Sequence, residues 1–268
     1  MKAVVLAAGL GTRMRRPNAA AGLDAAQAAA ADRGAKGLVP LGGRPFLDYV
    51  ISGLADAGVR EVCLVVGREA PEIRAHYADS PPERVRLAWA VQSEPRGTAD
   101  ALLAAEAFAG GEDFLALNSD NLYPVSAYQA LMALGEPGLA VFEREELLAQ
   151  SNFPRERVER YAVIEVGKDG YLGRIVEKPP PERLASASGE VLLSLNLWRF
   201  SASIFEACRR VPISARGEFE LPQAVDFGIA RLGLRWLAVR SRAAVLDLSE
   251  RGDVAAVAGR LRGVGPRP

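Results

Sequence analysis

The run Val4-Val5-Leu6-Ala7-Ala8-Gly9-Leu10-Gly11-Thr12-Arg13 constrains the chain most, because an apolar strand feeds straight into a glycine-rich turn that ends in a cation. From Lys2 to Ala8 the chain is apolar but for its first residue. That is the pattern of a strand covered on both faces, and such strands belong to parallel sheets flanked by helices. Gly9 and Gly11 can take positive φ and carry no side chain, so successive N–H groups can converge on an anion. Arg13 adds a planar charged fork. The turn reads as a phosphate cradle.

The chain downstream repeats the strand–helix alternation. Pro45 opens a helix with Phe46, Leu47, Val50, Ile51 and Leu54 on one face, ended near Gly58. Glu61 to Gly67 is a buried strand, 68 to 78 a helix, 85 to 91 a strand, Gly97-Thr98-Ala99 the start of an apolar helix running to about Ala109, and Phe114 to Leu117 another strand. This order calls for a doubly wound, mostly parallel α/β sheet with right-handed crossovers. Ligands of such sheets sit beyond the carboxyl ends of the strands, where Gly9 to Arg13, Gln92 and Asp120 all fall. After about residue 136 the strand candidates (138 to 143, 160 to 166, 171 to 176, 190 to 200) take an antiparallel character, with a hairpin at Lys168-Asp169-Gly170 and a polar stretch at 151 to 159. Helices near 201 to 210 and 218 to 231, strands 234 to 239 and 243 to 248, and a closing amphipathic helix complete the pattern. Residues 14 to 35 stand apart: an alanine-rich tract with little large apolar surface, read either as a mobile lid or as an ordinary surface insertion.

Lys plus Arg and Asp plus Glu number 33 each, so net charge gives no reason to expect nucleic acid or an anionic membrane surface as partner. A small soluble ligand is the default. Cys63 and Cys208 lie in separate apolar runs and read as buried thiols of a reducing compartment, which places the protein in the cytoplasm. The opening apolar run is too short for a secretion signal, and no run approaches a membrane span.

The glycine turn alone leaves its ligand open. A P-loop needs two glycines with four residues between them, followed by Lys and Ser or Thr, and no segment fits. A dinucleotide fingerprint needs Gly or Ala where Met14 stands. What narrows the choice is an ordered set: Ala7-Ala8-Gly9-Leu10-Gly11-Thr12-Arg13, Lys36 ahead of Val39-Pro40-Leu41-Gly42-Gly43-Arg44-Pro45, Gln92 ahead of Gly97-Thr98-Ala99, Asn118-Ser119-Asp120-Asn121, Glu177-Lys178-Pro179, Asn196, Glu218-Phe219-Glu220-Leu221, and Leu246-Asp247-Leu248.

In this order the chain resembles the sugar-1-phosphate nucleotidylyltransferases over nearly its whole length. The resemblance implies a mixed Rossmann-like sheet of the nucleotide-diphospho-sugar transferase type. It also implies one domain over 1–268: a nucleotide half (1–120), a sugar-binding subregion (121–200) and a C-terminal part completing a metal site (201–268). The implied reaction is attack of a sugar-1-phosphate oxygen on the α-phosphorus of a nucleoside triphosphate, with pyrophosphate leaving. Such transfer needs amides, cations and Mg²⁺ more than side-chain chemistry. By resemblance, Ala8, Gly9, Gly11 and Thr12 hold the nucleotide, Arg13 the leaving phosphates, Lys36 the charge at the α-phosphorus and Lys178 the sugar phosphate. Gln92 and Gly97 meet the base, with UTP or dTTP favoured, and Thr98 belongs to the same nucleotide site. Asn121, Glu177 and Asn196 meet the sugar, with Glu220 a further candidate, and Asp120 and Asp247 ligate Mg²⁺. The same resemblance leaves room for a guanylyl- or cytidylyltransferase, for a binding protein without turnover, and for a homo-oligomer.

Each residue also has a plainer reading. Asp120 could cap a turn, Asp247 the last helix, and Gln92 could be a surface strand end. His76 is expected to face solvent, and Trp89, Trp198 and Trp236 to be core or interface aromatics. The chain departs from the family at Ala35, where proline is usual, at Ser119, where glycine is common, and in the long interval from Arg13 to Lys36.

Overall fold

The computed structural model describes residues 1–68, 70–176 and 190–268. Its strands are β1 (Lys2–Ala7), β2 (Pro40–Leu41), β3 (Arg44–Pro45), β4 (Glu61–Gly67), β5 (Arg86–Gln92), β6 (Phe114–Asn118), β7 (Asn121–Leu122), β8 (Gly138–Glu143), β9 (Val163–Val166), β10 (Leu172–Val176), β11 (Leu192–Phe200), β12 (Leu237–Ser241) and β13 (Leu246–Asp247). β1 lies between β4 and β6, parallel to both, and β5 extends the parallel half beyond β4. β11 joins antiparallel to β6 and pairs with β8 and β9 along its length. β10 folds back on β9, as the Lys168-Asp169-Gly170 turn predicts, and β12 runs parallel to β8.

β1 and β4 are buried through their middles, so successive side chains feed opposite layers. Val5, Leu64 and Leu117 pack with Phe46, Leu47, Val50, Ile51 and Leu54 of the helix Phe46–Ala57. Val4, Cys63, Phe114 and Ala116 pack on the other face with helices Thr98–Leu103, Ser203–Arg210 and Leu221–Leu232. Each fully buried Val or Leu contributes about 1.5–3 kcal/mol, and this two-sided layering fixes the sheet. Both cysteines are free and buried, and burial pushes their thiols up, to about 11 at Cys63 and about 12 at Cys208. Trp198 and Trp236 are core residues, while Trp89 lies half-buried beneath Arg74.

Several expectations are corrected. The helix expected over 68–78 starts only at Pro71, which occupies its first turn. The one expected to run from 98 to 109 is two pieces, Thr98–Leu103 and Glu106–Ala109. Helices Val125–Met132 and Arg144–Gln150 were not anticipated, and the polar stretch 151–159 contains the short helix Arg155–Val158. His76 does not simply face solvent. Its Nε2 lies 3.2 Å from the fully buried Asp48, which also accepts from Tyr77 Oη and Arg44 Nε.

Residues 14 to 35 dock. Asp24 and Gln27 cap the helix Ala25–Asp32 reciprocally, Gln27 Nε2 donates to the Pro40 carbonyl at 3.1 Å, and Ala30 and Ala31 are small enough to bury against the core. Arg251 fastens both ends, donating to the Met14 carbonyl at 2.9 Å and to the Asp32 carboxylate. The surface-insertion reading fits this arrangement. Among the described residues no helix is long and apolar enough to cross a membrane.

Candidate active site

The register Leu6↔Asn118, Ala7↔Val66 and Gly67↔Gln92 aligns the carboxyl ends of β6, β1, β4 and β5. The loops beginning at Ala8, Gln92 and Asn118 therefore open on one edge of the sheet. Gly11, rather than Gly9, takes the left-handed conformation, with φ 64°, and starts the helix Thr12–Arg15. A Cβ at Gly11 would stand 2.2 Å from the Gly34 carbonyl oxygen, whereas one at Gly9 would meet open space. Gly11 serves the fold and Gly9 leaves room for a ligand. Gly11→Ala is accordingly expected to cost about 1–2 kcal/mol from backbone conformation alone, before the clash. Gly9→Ala is expected to leave the thermal midpoint unchanged while weakening nucleotide affinity, and equal Tm losses in the two variants would contradict this division.

The contact of Gly11 with Gly34 returns the chain to its starting point after the long insertion. Lys36 begins a short 3₁₀ turn there, its N–H bonded to the Gly34 carbonyl, and Ala35 needs no proline to make that turn. The Lys36 ammonium lies 2.9 Å from Asp120 Oδ2. Burial pushes the Asp120 carboxyl up, but Lys36, by charge and hydrogen bond, and Arg13 outweigh it and hold the group below its ordinary value. Asp120 is thus an anion facing two cations from the nucleotide half. Ser119 bonds through its N–H to the Leu6 carbonyl, so the loop keeps contact with β1 without a glycine.

Asp247 enters from β13, which pairs antiparallel with β7 at Asp247↔Asn121. Its Oδ1 accepts from Asn121 Nδ2 at 3.0 Å and Ser249 Oγ at 2.9 Å, and its Oδ2 from Arg157 at 2.5 Å. These donors are side chains, not helix N–H groups, so the helix-cap reading of Asp247 does not hold. Asp253, the first residue of the last helix, closes the turn before it instead, accepting from the N–H groups of Ser249 and Glu250. Arg157 also reaches Asp253 at 2.9 Å and Glu250 at 2.7 Å. Burial, then the nearby Asp120 charge, raise the Asp247 carboxyl to about 7 against the pull of Arg157. The Leu248 N–H donates to the Asp120 carbonyl and Arg13 donates to Ser249 Oγ at 3.4 Å. The result is one connected line, Arg13–Ser249–Asp247–Asn121 beside Asp120–Lys36.

Asp120, in the turn between β6 and β7, and Asp247, on β13 beside β7, are hard oxygen donors suited to a divalent cation whose other ligands come from water and phosphate. Among the described residues no third His, Cys, Asp or Glu joins them as a metal cluster. Asn121, expected on the sugar, is 5% exposed and turns its amide to Asp247 and Tyr123. Asn196 takes φ 60° just where β11 leaves β6, and accepts from Trp198 Nε1 at 3.4 Å. Glu177 and Lys178 lie outside the described residues. Gln92 is not a surface strand end but buried, its Nε2 donating to the Gly97 carbonyl and to Asp100 at 2.9 Å each. Gly97 takes φ 114° with the Phe219 carbonyl 2.4 Å from where a Cβ would be, and Thr98 Oγ1 accepts from the Leu221 N–H. Glu220 is held by Ser214 and Arg216. Ser249 and Asp253 follow Asp247 closely enough to be found from sequence. Arg157, ninety residues earlier in the chain, carried no such signal.

The sequence pattern of nucleotidyl transferases matches residues 29–225. The chain belongs to the nucleotidyl transferase family. The matched span holds Lys36, Gln92 and Asp120, and leaves the glycine turn and Asp247 outside it. This nucleotidyl transferase is 32% identical over 233 residues to a UTP–glucose-1-phosphate uridylyltransferase of Haloferax volcanii, covering 84% of this chain and 82% of that one. It is 29% identical to a glucose-1-phosphate thymidylyltransferase of Streptomyces griseus, of which it covers 57%, with 85% of this chain aligned. Among solved structures, a UDP-glucose pyrophosphorylase complexed with UDP-glucose superposes with a TM-score of 0.72 at 19% identity, covering 97% and 98% of the two chains. The expected mixed α/β fold is thereby borne out.

Proposed function

We propose that the chain transfers a nucleotidyl group from UTP or dTTP to a hexose-1-phosphate, releasing pyrophosphate. The observation that carries this reading is the convergence of Arg13 and Lys36 from the nucleotide half on Asp120 and, through Ser249, on Asp247. The names of the Haloferax and Streptomyces relatives support the same substrates.

In this reading the N–H groups around Ala8, Gly9, Gly11 and Thr12 hold the triphosphate, with Arg13 on the phosphates that leave. Lys36 lies on the short path between those phosphates and Asp120, and is placed to meet charge at the α-phosphorus. Lys178 grips the sugar phosphate, and Glu177 and Asn196 its hydroxyls. The sugar-phosphate oxygen forms a bond to the α-phosphorus as the bond to the bridging oxygen of the β-phosphate breaks, and the electron pair leaves on pyrophosphate. Asp120 and Asp247 would hold Mg²⁺, which when bound neutralises phosphate charge. Asn121 orients Asp247 rather than touching sugar. The division into nucleotide half, sugar subregion and C-terminal part belongs to the same reading, and buried free thiols support a reducing, cytoplasmic setting.

A panel of nucleoside triphosphates and sugar-1-phosphates, assayed for pyrophosphate release with Mg²⁺, tests it. UTP or dTTP with a hexose-1-phosphate is expected to turn over. Binding of both substrates without pyrophosphate from any pair would instead leave a non-catalytic binding protein.

A further inference from the structure

The geometry of residues 92 to 100 points to a positioning role for Asp100: we propose that it fixes the Gln92 amide so that only the amide oxygen meets the nucleotide base. The inference rests on the nucleotidyl-transfer reading above and deepens it. Gln92 ends β5, and its Nε2 carries two hydrogens. One goes to the Gly97 carbonyl and the other to Asp100 Oδ2, each at 2.9 Å. A carbonyl oxygen and an ionised carboxylate accept only, so the reversed amide would set oxygen against two oxygens. Both acceptors are themselves held. Arg96 donates to Asp100 Oδ1 from Nε at 3.2 Å and from its terminal nitrogen at 2.6 Å. Phe219 fixes the turn around Gly97, its N–H donating to the Arg96 carbonyl and its carbonyl accepting from Ala99 N–H.

Oε1 is what remains. It accepts no hydrogen bond among the described residues and is not a buried unpaired atom, so it is open to a ligand. A lone acceptor selects a base with an N–H at the facing ring position. Uracil and thymine carry a hydrogen on N3, and guanine on N1. Cytosine N3 and adenine N1 are acceptors and would be repelled. Asp100 touches no substrate; it acts through Gln92. The structure therefore assigns the choice between imide bases and amidine bases to a carboxylate eight residues from the glutamine.

The test is nucleotide binding with Mg²⁺, by calorimetry, to the full chain and to Asp100→Asn and Asp100→Glu. The wild type is expected to bind UTP at least tenfold tighter than CTP and than 3-methyl-UTP, which lacks the N3 hydrogen. Asp100→Asn, whose amide can donate to a reversed Gln92, is expected to lower the UTP-to-CTP ratio at least tenfold by gaining CTP. Asp100→Glu is expected to restore part of the ratio. Equal weakening of every nucleotide in Asp100→Asn would make Asp100 merely structural and overturn the proposal. Should that variant not fold, wild-type binding of 3-methyl-UTP as tight as UTP overturns it equally. A wild type that prefers GTP and rejects ATP and CTP would uphold the amide rule while overturning the UTP or dTTP choice. Failure to bind any nucleotide would sink both readings.

Discussion

Asp120→Ala is expected to lower kcat/KM for pyrophosphate release by about a thousandfold, since several kcal/mol of charge stabilisation at about 1.4 kcal/mol per decade amounts to that. The carboxylate is the point where Lys36 and Arg13 meet the β6 edge, and its charge is maintained by both. Its removal frees a half-buried lysine, not a fully buried one, so the loss is expected in rate and not in folding, with the thermal midpoint moving by no more than about 3 °C. Steady-state kinetics beside a melting curve separate the two. Retention of more than a tenth of wild-type kcat/KM would remove Asp120 from the reacting centre.

A second large effect is expected at Arg157, and there it falls on stability. Its guanidinium, 10% exposed, faces the buried carboxylates of Asp247 and Asp253 as well as Glu250. Truncation leaves the buried carboxyls of Asp247 and Asp253 without their shared partner. Breaking such a cluster costs about 3–5 kcal/mol, and a chain of this size loses roughly 2–4 °C per kcal/mol. Arg157→Ala is therefore expected to unfold about 6 °C or more below the wild type. Arg157→Lys keeps the charge but not the fork, and is expected to fall between. A midpoint within 2 °C of wild type in Arg157→Ala would show the cluster to be dispensable.

The parallel half of the sheet was legible because its strands are buried on both faces, so Val4-Val5-Leu6 and Val62-Cys63-Leu64-Val65-Val66 stand out as unbroken apolar runs. Short helices such as Arg155–Val158 were not, since four residues hold too little periodicity to read. The ordered motifs found Lys36 and Asp120, and the structure joins them. They could not show that Asn121 faces inward, because an Asn beside an Asp reads alike whether its amide points to ligand or to a neighbouring strand. That difference is set by β7 pairing with β13, a contact across 126 residues. Arg157 and Asp100 were illegible for a related reason: each works on a residue already chosen, and charge at an unremarkable position carries no pattern of its own.

The excursion from Gly11 to Gly34 leaves and re-enters the fold at one point. A detour whose two ends touch is nearly independent of its own length, since doubling such a loop costs only about 0.6 kcal/mol in closure. Lys36 is aimed by the exit of that detour, where the Gly34 and Ala35 N–H groups are held by Ala31 and Ala30 of the helix Ala25–Asp32. The segment is thus a place where this lineage could redecorate its surface while the Lys36 ammonium stayed on the same carboxylate.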